Sequence, residues 1–272
     1  MFNSKKLVGA LPRQGRGASL VFRAIGLVAA VFLLYGVPAQ AQTLPYDHMH
    51  ISVPDPAKAA DWYIKYMGGT TASTPTQVFF GPTLFMFRQA ADAKPSEGSV
   101  IDHVGFSFAD LDAKMAELQA AGTKVVTPAR DVPGLFKLAF VEDPWGTKIE
   151  LVQDAETPGF HHIHLRAVDP EAMMKWLSDS FGGERAKLKN RIDALLYQKI
   201  WVLIQKAPAA PAPSAGNVID HLGWKAADLD ATAAALKAKG VTFTTEPRAA
   251  GALKISFVEG PDKLRVEVLQ RP

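Results

Sequence analysis

One set of potential metal ligands occurs twice in this 272-residue chain, and its spacing leaves little freedom over how the chain can fold. The first copy reads DHMHISVPDP from Asp47, IDHVGFSFADLDA from Ile101 and GTKIELVQ from Gly146. The second reads HHIHLRAVDP from His161, IDHLGWKAADLDA from Ile219 and KLRVEVLQ from Lys263. Each copy offers a histidine near the start of one β-prone segment, another at the start of a second, and a glutamate inside a third. All seven histidines (His48, His50, His103, His161, His162, His164 and His221) fall in these segments. Histidines scattered for packing would not cluster this way. Two imidazoles and a carboxylate form a common site for a divalent metal with coordination positions left open.

The repeat extends well beyond the histidines. It pairs His48 with His162, His50 with His164, Asp55-Pro56 with Asp169-Pro170, Trp62 with Trp176 and Gly68-Gly69 with Gly182-Gly183. After small shifts that fall in loops, it pairs His103 with His221, Asp110 with Asp228, Phe140 with Phe257 and Glu150 with Glu267. A unit of roughly 110 residues is too long for a solenoid repeat. Each copy is therefore expected to be a domain, residues 44–155 and 158–271.

Residues 1–41 are set apart by composition. Lys5, Lys6, Arg13, Arg16 and Arg23 precede the 14-residue apolar run Ala24 to Val37 and then Ala39-Gln40-Ala41. A basic start, a short apolar run and a small-residue cleavage site predict a secretory signal peptide. The run is shorter than the roughly 20 residues that span a bilayer, so stable membrane insertion after cleavage is not expected. The location expected is periplasmic or secreted. This segment holds five of the 30 basic residues and none of the 27 acidic ones, which leaves 25 against 27 and a net charge of −2. Nothing in that balance suggests a nucleic-acid binder. There are no cysteines, so a metal would be held by nitrogen and oxygen.

Within each copy the order strand, helix, several strands occurs twice. In the first, Asp47 to Val53 alternates as a strand, Asp55 and Pro56 are suited to a helix cap and first turn, and Ala59, Trp62, Tyr63, Tyr66 and Met67 share a helical face. Strands follow around residues 76–80 and 83–88. After a polar linker the pattern restarts at Asp102, with Asp110 as cap, Leu111, Met115 and Leu118 as the apolar face, and strands near 123–127, 136–142 and 147–153. The second copy repeats this around an Ala/Pro-rich linker, residues 207–217, whose composition suggests an extended spacer. The fold class expected is α+β, with four βαβββ modules paired into two domains.

These motifs resemble the vicinal oxygen chelate superfamily, which includes glyoxalase I, bleomycin- and fosfomycin-resistance proteins and extradiol dioxygenases. The resemblance rests on the histidine followed by V-x-D-P, the Trp-Tyr helix ending in Gly-Gly, the DHVGFSFADLDA restart and the DPWGTKIELV ending, and it covers nearly all of residues 46–271. It implies that each module's strands form half of an open barrel. It also implies His48, His103 and Glu150 as metal ligands in the first domain, and His162, His221 and Glu267 in the second. The fourth ligand of glyoxalase-like members would lie near Leu84–Arg88 or Trp201–Gln205, where only Gln205 is a candidate. A three-ligand site is similar to the dioxygenase and fosfomycin-resistance branches, which implies Fe(II) or Mn(II), with Zn or Ni as alternatives.

His50 and His164 lie two residues beyond the proposed ligands and share their strand face. They are candidate catalytic acid/base groups, or polar cavity walls. His161 alternates away from His162 and is expected to be exposed or packed. Lys137 and Lys254 either meet an anionic substrate or are solvated, and Trp62 and Trp176 belong to the core. Lys263 stands where the first copy has Gly146, which makes the first site the safer of the two. The function expected is metal-dependent chemistry, dioxygenase-like or lyase-like, on a small-molecule substrate by a monomer or homodimer. The alternative is a protein that only sequesters a small molecule. Against glyoxalase I itself stands export, since glutathione belongs to the cytosol.

Overall fold

The computed structural model describes residues 43–272, so the expected signal peptide lies outside the described residues. Among the described residues no helix is long and apolar enough to cross a membrane. The four modules are present. The first comprises β1 (Tyr46–Val53), α1 (Pro56–Met67), β2 (Thr70–Thr71), β3 (Gln77–Phe80) and β4 (Thr83–Gln89). The second has β5 (Ile101–Ser107), α2 (Leu111–Ala120), β6 (Lys124–Asp131), β7 (Lys137–Glu142) and β8 (Lys148–Gln153). The third has β9 (Gly159–Ala167), α3 (Pro170–Phe181), β10 (Glu184–Leu188), β11 (Ile192–Tyr197) and β12 (Ile200–Lys206). The fourth has β13 (Ile219–Lys225), α4 (Leu229–Ala238), β14 (Thr242–Ala250), β15 (Leu253–Glu259) and β16 (Arg265–Gln270).

The same local chemistry starts each of α1 to α4. Asp55, Asp110, Asp169 and Asp228 sit in extended backbone just before α1 to α4, and each carboxylate accepts a first-turn N–H. Such a cap stabilises a helix by about 1 kcal/mol. Gln153 and Gln270, three residues beyond the glutamates, add a second tie: their side-chain oxygens accept from Leu111 N and Leu229 N.

The modules combine into two curled eight-stranded sheets, of order β14-β15-β16-β13-β1-β4-β3-β2 and β10-β11-β12-β9-β5-β8-β7-β6. The first sheet is built from modules one and four, joined where β1 pairs antiparallel with β13. The second is built from modules two and three, joined by β5 and β9. The fold class is as expected, but each sheet takes one module from each half of the repeat. The expectation that each half closes on its own strands is thereby corrected.

The linkers are also not free spacers. Lys94 N donates to Gly216 O and Val218 N to Lys94 O, while Val100 N donates to Ala212 O and Ala212 N to Gly98 O. The Ala/Pro-rich segment thus runs beside the polar linker of the other half as a two-chain joint.

One hydrophobic core serves both sheets. Two aromatic groups are prominent in it: Phe80, Phe85, Phe106 and Phe160 meet in edge and tilted contacts, and Tyr46, Phe181 and Tyr197 surround Trp224. Trp62 and Trp176 pack against this core, as expected. A shared core with interleaved sheets predicts that residues 43–272 unfold in one transition, with fluorescence and circular dichroism coincident. Phe106→Ala should destabilise it by about 3–5 kcal/mol. Two well-separated denaturation transitions, one per half, would contradict this arrangement.

Candidate metal centres

The swapped sheets redistribute the ligands. His48 and His50 lie on β1, His221 on the adjoining β13, and Glu267 on β16, which pairs with β13. Their donor atoms lie within 4.8 Å of one another. His103 on β5, Glu150 on β8, and His162 and His164 on β9 form a second group on the same criterion. All six expected ligands and both expected catalytic histidines are therefore drawn together, but in different sets. His48 stands with His221 and Glu267, not with His103 and Glu150; His162 stands with His103 and Glu150. Each group also holds four candidate donors where three were expected, because His50 and His164 join them. Gln205 is exposed and pairs with Arg166, outside both groups.

In the Glu267 centre, His48 Nε2 and His221 Nε2 lie 3.1 and 3.0 Å from Glu267 Oε2. In the Glu150 centre, His103 Nε2 and His162 Nε2 lie 3.1 and 3.2 Å from Glu150 Oε2. The other ring nitrogens are engaged behind. His48 Nδ1 meets Asp47 at 2.9 Å, His221 Nδ1 meets Asp220 at 2.6 Å and His103 Nδ1 meets Asp102 at 2.6 Å. An imidazole that donates through Nδ1 presents a bare lone pair at Nε2 when neutral. A lone pair facing an anionic oxygen at 3 Å is stable only with positive charge between them, from protons on the rings or from a cation.

The electrostatics reflect that demand. Burial opposes charge on His48 and His103, yet their bonds to the adjacent aspartate and to the glutamate raise both above the ordinary histidine value. Burial also opposes charge on Glu150 and Glu267, but the facing histidines hold both well below the usual carboxylate range. Both ring nitrogens of His50 and the Nε2 of His162 are buried without a hydrogen-bond partner. Orphaned nitrogens of this kind are costly unless something ligates them. Donors 3.0–3.2 Å apart match neighbouring ligands around an ion with bonds of about 2.1 Å. The residues fit a divalent metal.

A backbone device aims the orienting groups. In the β1–β13 and β5–β9 ladders the register slips at Asp47, Asp220, Asp102 and His161, and none of these four has an opposite partner. Each precedes a candidate ligand histidine. A bulge residue is turned out of the ordinary alternation, and here each is turned toward the neighbouring imidazole. His161 is thus neither exposed nor an ordinary packing residue: it is fully buried, its Nδ1 lies 2.8 Å from His162 Nδ1, and its Nε2 lies 3.2 Å from Asp154. Strict strand alternation fails at that bulge.

Two glycines make room for the rings. A Cβ on Gly223 would lie 2.1 Å from the His48 ring, and one on Gly105 would lie 2.0 Å from the His162 ring. Sequence reasoning missed both, although the spacing H-x-G after His103 and His221 was a visible signal. Lys137 and Lys254 instead make ion pairs with Asp112 and Asp230 at the starts of helices α2 and α4. Lys263 adopts the left-handed conformation of its counterpart Gly146, with φ 61° against 95°. This conformation costs a lysine about 1 kcal/mol or more, yet Glu267 keeps its place opposite Phe257, as Glu150 does opposite Phe140. Gly223→Ala should displace His48, lower the melting temperature and remove metal from the Glu267 centre, with Gly105→Ala doing the same at the Glu150 centre. Metal content and thermal denaturation check this; unchanged metal content in both variants would contradict it.

The Glyoxalase/Bleomycin resistance protein/Dioxygenase superfamily model matches residues 46–151 and 159–268. No curated protein sequence matches the chain. Among solved structures, glyoxalase I from Zea mays is similar over 84% of this chain and 92% of its own, at 18% identity and a TM-score of 0.67. A point mutant of that maize protein gives 19% identity, 84% and 94% coverage and the same TM-score. A Bacillus subtilis protein proposed to be a dioxygenase covers 85% of this chain and 86% of its own, at 16% identity and a TM-score of 0.62. At these identities the structural likeness speaks for the fold, and the family match extends over most of the chain. The chain belongs to the Glyoxalase/Bleomycin resistance protein/Dioxygenase superfamily, with two tandem regions of that type.

Proposed function

We propose that this protein is an exported metal-dependent enzyme whose two centres each chelate neighbouring oxygens of a small-molecule substrate. The observation that carries the reading is the convergence of two aspartate- or histidine-backed imidazoles on one buried glutamate oxygen, twice over. His48, His221 and Glu267 would hold one ion, and His103, Glu150 and His162 the other. A bound divalent ion would act as a Lewis acid toward substrate oxygens. The nitrogen and oxygen donors suit Fe(II) or Mn(II), with Zn and Ni as alternatives.

His50 and His164 have a different part from the acid/base role considered first. Burial, followed by the nearby His221 and His48, pushes His50 down to about 2. Burial and the adjacent His103 hold His164 well below the ordinary histidine value. A nitrogen so reluctant to take a proton suits a fourth metal donor better than a base. The strand positions beside them, Met86 and Leu203, are apolar and supply no competing ligand.

A second reading, a protein that binds a small molecule without transforming it, has one observation in its favour. A cavity of about 720 Å³, lined by Met67, Phe80, Pro82, Phe160, Ile200 and Trp201 among others, contains none of the eight donors. Metal analysis separates the readings. Purified protein should carry up to one divalent ion per centre, and reloading with Fe(II) or Mn(II) should restore turnover of an oxygen-rich substrate after chelation. Protein that takes up no Fe(II), Mn(II), Ni(II) or Zn(II) would overturn the enzymatic reading. The sharing of ligands gives a further expectation: His48→Ala/His221→Ala should lose one ion, and His48→Ala/His103→Ala both. The reverse pattern would place each centre within one half of the repeat.

A further inference from the structure

We propose that the two centres bind metal unequally, the Glu267 centre more tightly, because His161 stands where the other three ligand histidines have a carboxylate behind them. The inference rests on the metal-binding reading above and concerns what lies behind the ligands rather than the ligands themselves.

The proton positions in this part of the Glu150 centre are fixed by geometry. His162 turns Nε2 toward Glu150, so to ligate it must carry its proton on Nδ1. That proton can go only to His161 Nδ1, 2.8 Å away, which must then be a bare acceptor. His161 in turn carries its proton on Nε2 and donates it to Asp154 Oδ2 at 3.2 Å. Asp154 is anchored by Lys189 Nζ at 2.8 Å and by Glu156 N at 3.0 Å. The negative charge behind His162 is therefore one imidazole further away than the charge behind His48.

At the Glu267 centre the corresponding pair is inverted. Asp47 occupies the place of His161, and Arg271, four residues after Glu267, occupies the place of Asp154, four residues after Glu150. Arg271 Nε donates to Asp47 Oδ2 at 3.0 Å, while Asp47 Oδ1 accepts from His48. An aspartate–arginine pair at one centre is thus replaced by a histidine–aspartate pair at the other. Each pair is internally matched, so each replacement makes sense only with its partner. The remaining supports are alike: Asp220 is held by Arg88 and Arg265 at 2.7 and 2.9 Å, and Asp102 by Arg166 at 2.9 Å.

A carboxylate acceptor polarises a ligand imidazole and makes Nε2 a stronger donor, whereas a neutral imidazole does so less. Changes to such partners alter metal affinity by about 10–100-fold. The Glu267 centre should bind more tightly by a factor within that range, and wild-type protein should fill in two steps. His161 is on this account a positioning residue that sets the strength of one centre.

The test isolates each centre. His103→Ala/Glu150→Gln leaves the Glu267 centre and His221→Ala/Glu267→Gln leaves the Glu150 centre. Mn(II) affinity is measured by chelator competition, and Co(II) absorption reports the ligand set. The Glu150 centre should be the weaker by about 10-fold or more. Exchanging its supports, His161→Asp/Asp154→Arg, should recover most of the difference. Should that variant fail to fold, Asp47→Asn in the isolated Glu267 centre should weaken binding by a comparable factor with the Co(II) spectrum retained. Equal affinities at the two centres, or an Asp47→Asn variant that binds as tightly as its parent, would overturn the proposal while leaving the metal reading intact. Failure of both isolated centres to bind Mn(II) or Co(II) would overturn the metal reading and this proposal together.

Discussion

Two imidazole nitrogens pointing at one buried carboxylate oxygen form an arrangement that requires positive charge between them, from protons on the rings or from a cation. At each centre the ring nitrogens behind are committed to a neighbouring residue, so on neutral rings the nitrogens in front are acceptors facing an acceptor. Buried groups of this kind destabilise a fold unless charge of the right sign lies between them. The rest of the architecture serves that contact. Four bulges aim the supports, two glycines admit the rings, and the salt bridges of Asp47, Asp102 and Asp220 to arginines hold those supports in place.

The sheet arrangement explains why such a contact needs the whole chain. His48 opposes Gly223, and His162 opposes Gly105, across the two ladders that join the halves. A ligand from one half therefore sits in a slot cut by the other. The linker joint at Lys94–Asn217 and Ser99–Ala212 and the common aromatic core support the same two ladders. No module carries a complete set of donors, so each site requires strands from both halves of the repeat.

Much of this was legible in the sequence. The helix caps at Asp55, Asp110, Asp169 and Asp228 and the strand–helix–strand order follow from local pattern, and the family resemblance implied six of the eight candidate donors, with His50 and His164 expected instead as acid/base groups or cavity walls. What was not legible is which donors meet, because that depends on β1 choosing β13 as its neighbour rather than β5. Both choices satisfy the same local preferences, and a tandem repeat gives no sequence signal that separates them. His161 was misplaced for a related reason: alternation assumes an unbroken ladder, and a bulge breaks it at that residue. The Asp-His pairs at 47–48, 102–103 and 220–221 carried the missing signal, and His161-His162 is the exception among them.

The central claim, that each metal centre is assembled from both halves of the repeat, is most directly tested by anomalous diffraction from crystals of the Mn(II)-loaded protein. One peak contacted by His48, His221 and Glu267 and another by His103, Glu150 and His162 are expected. A peak contacted by His48, His103 and Glu150 together would contradict it.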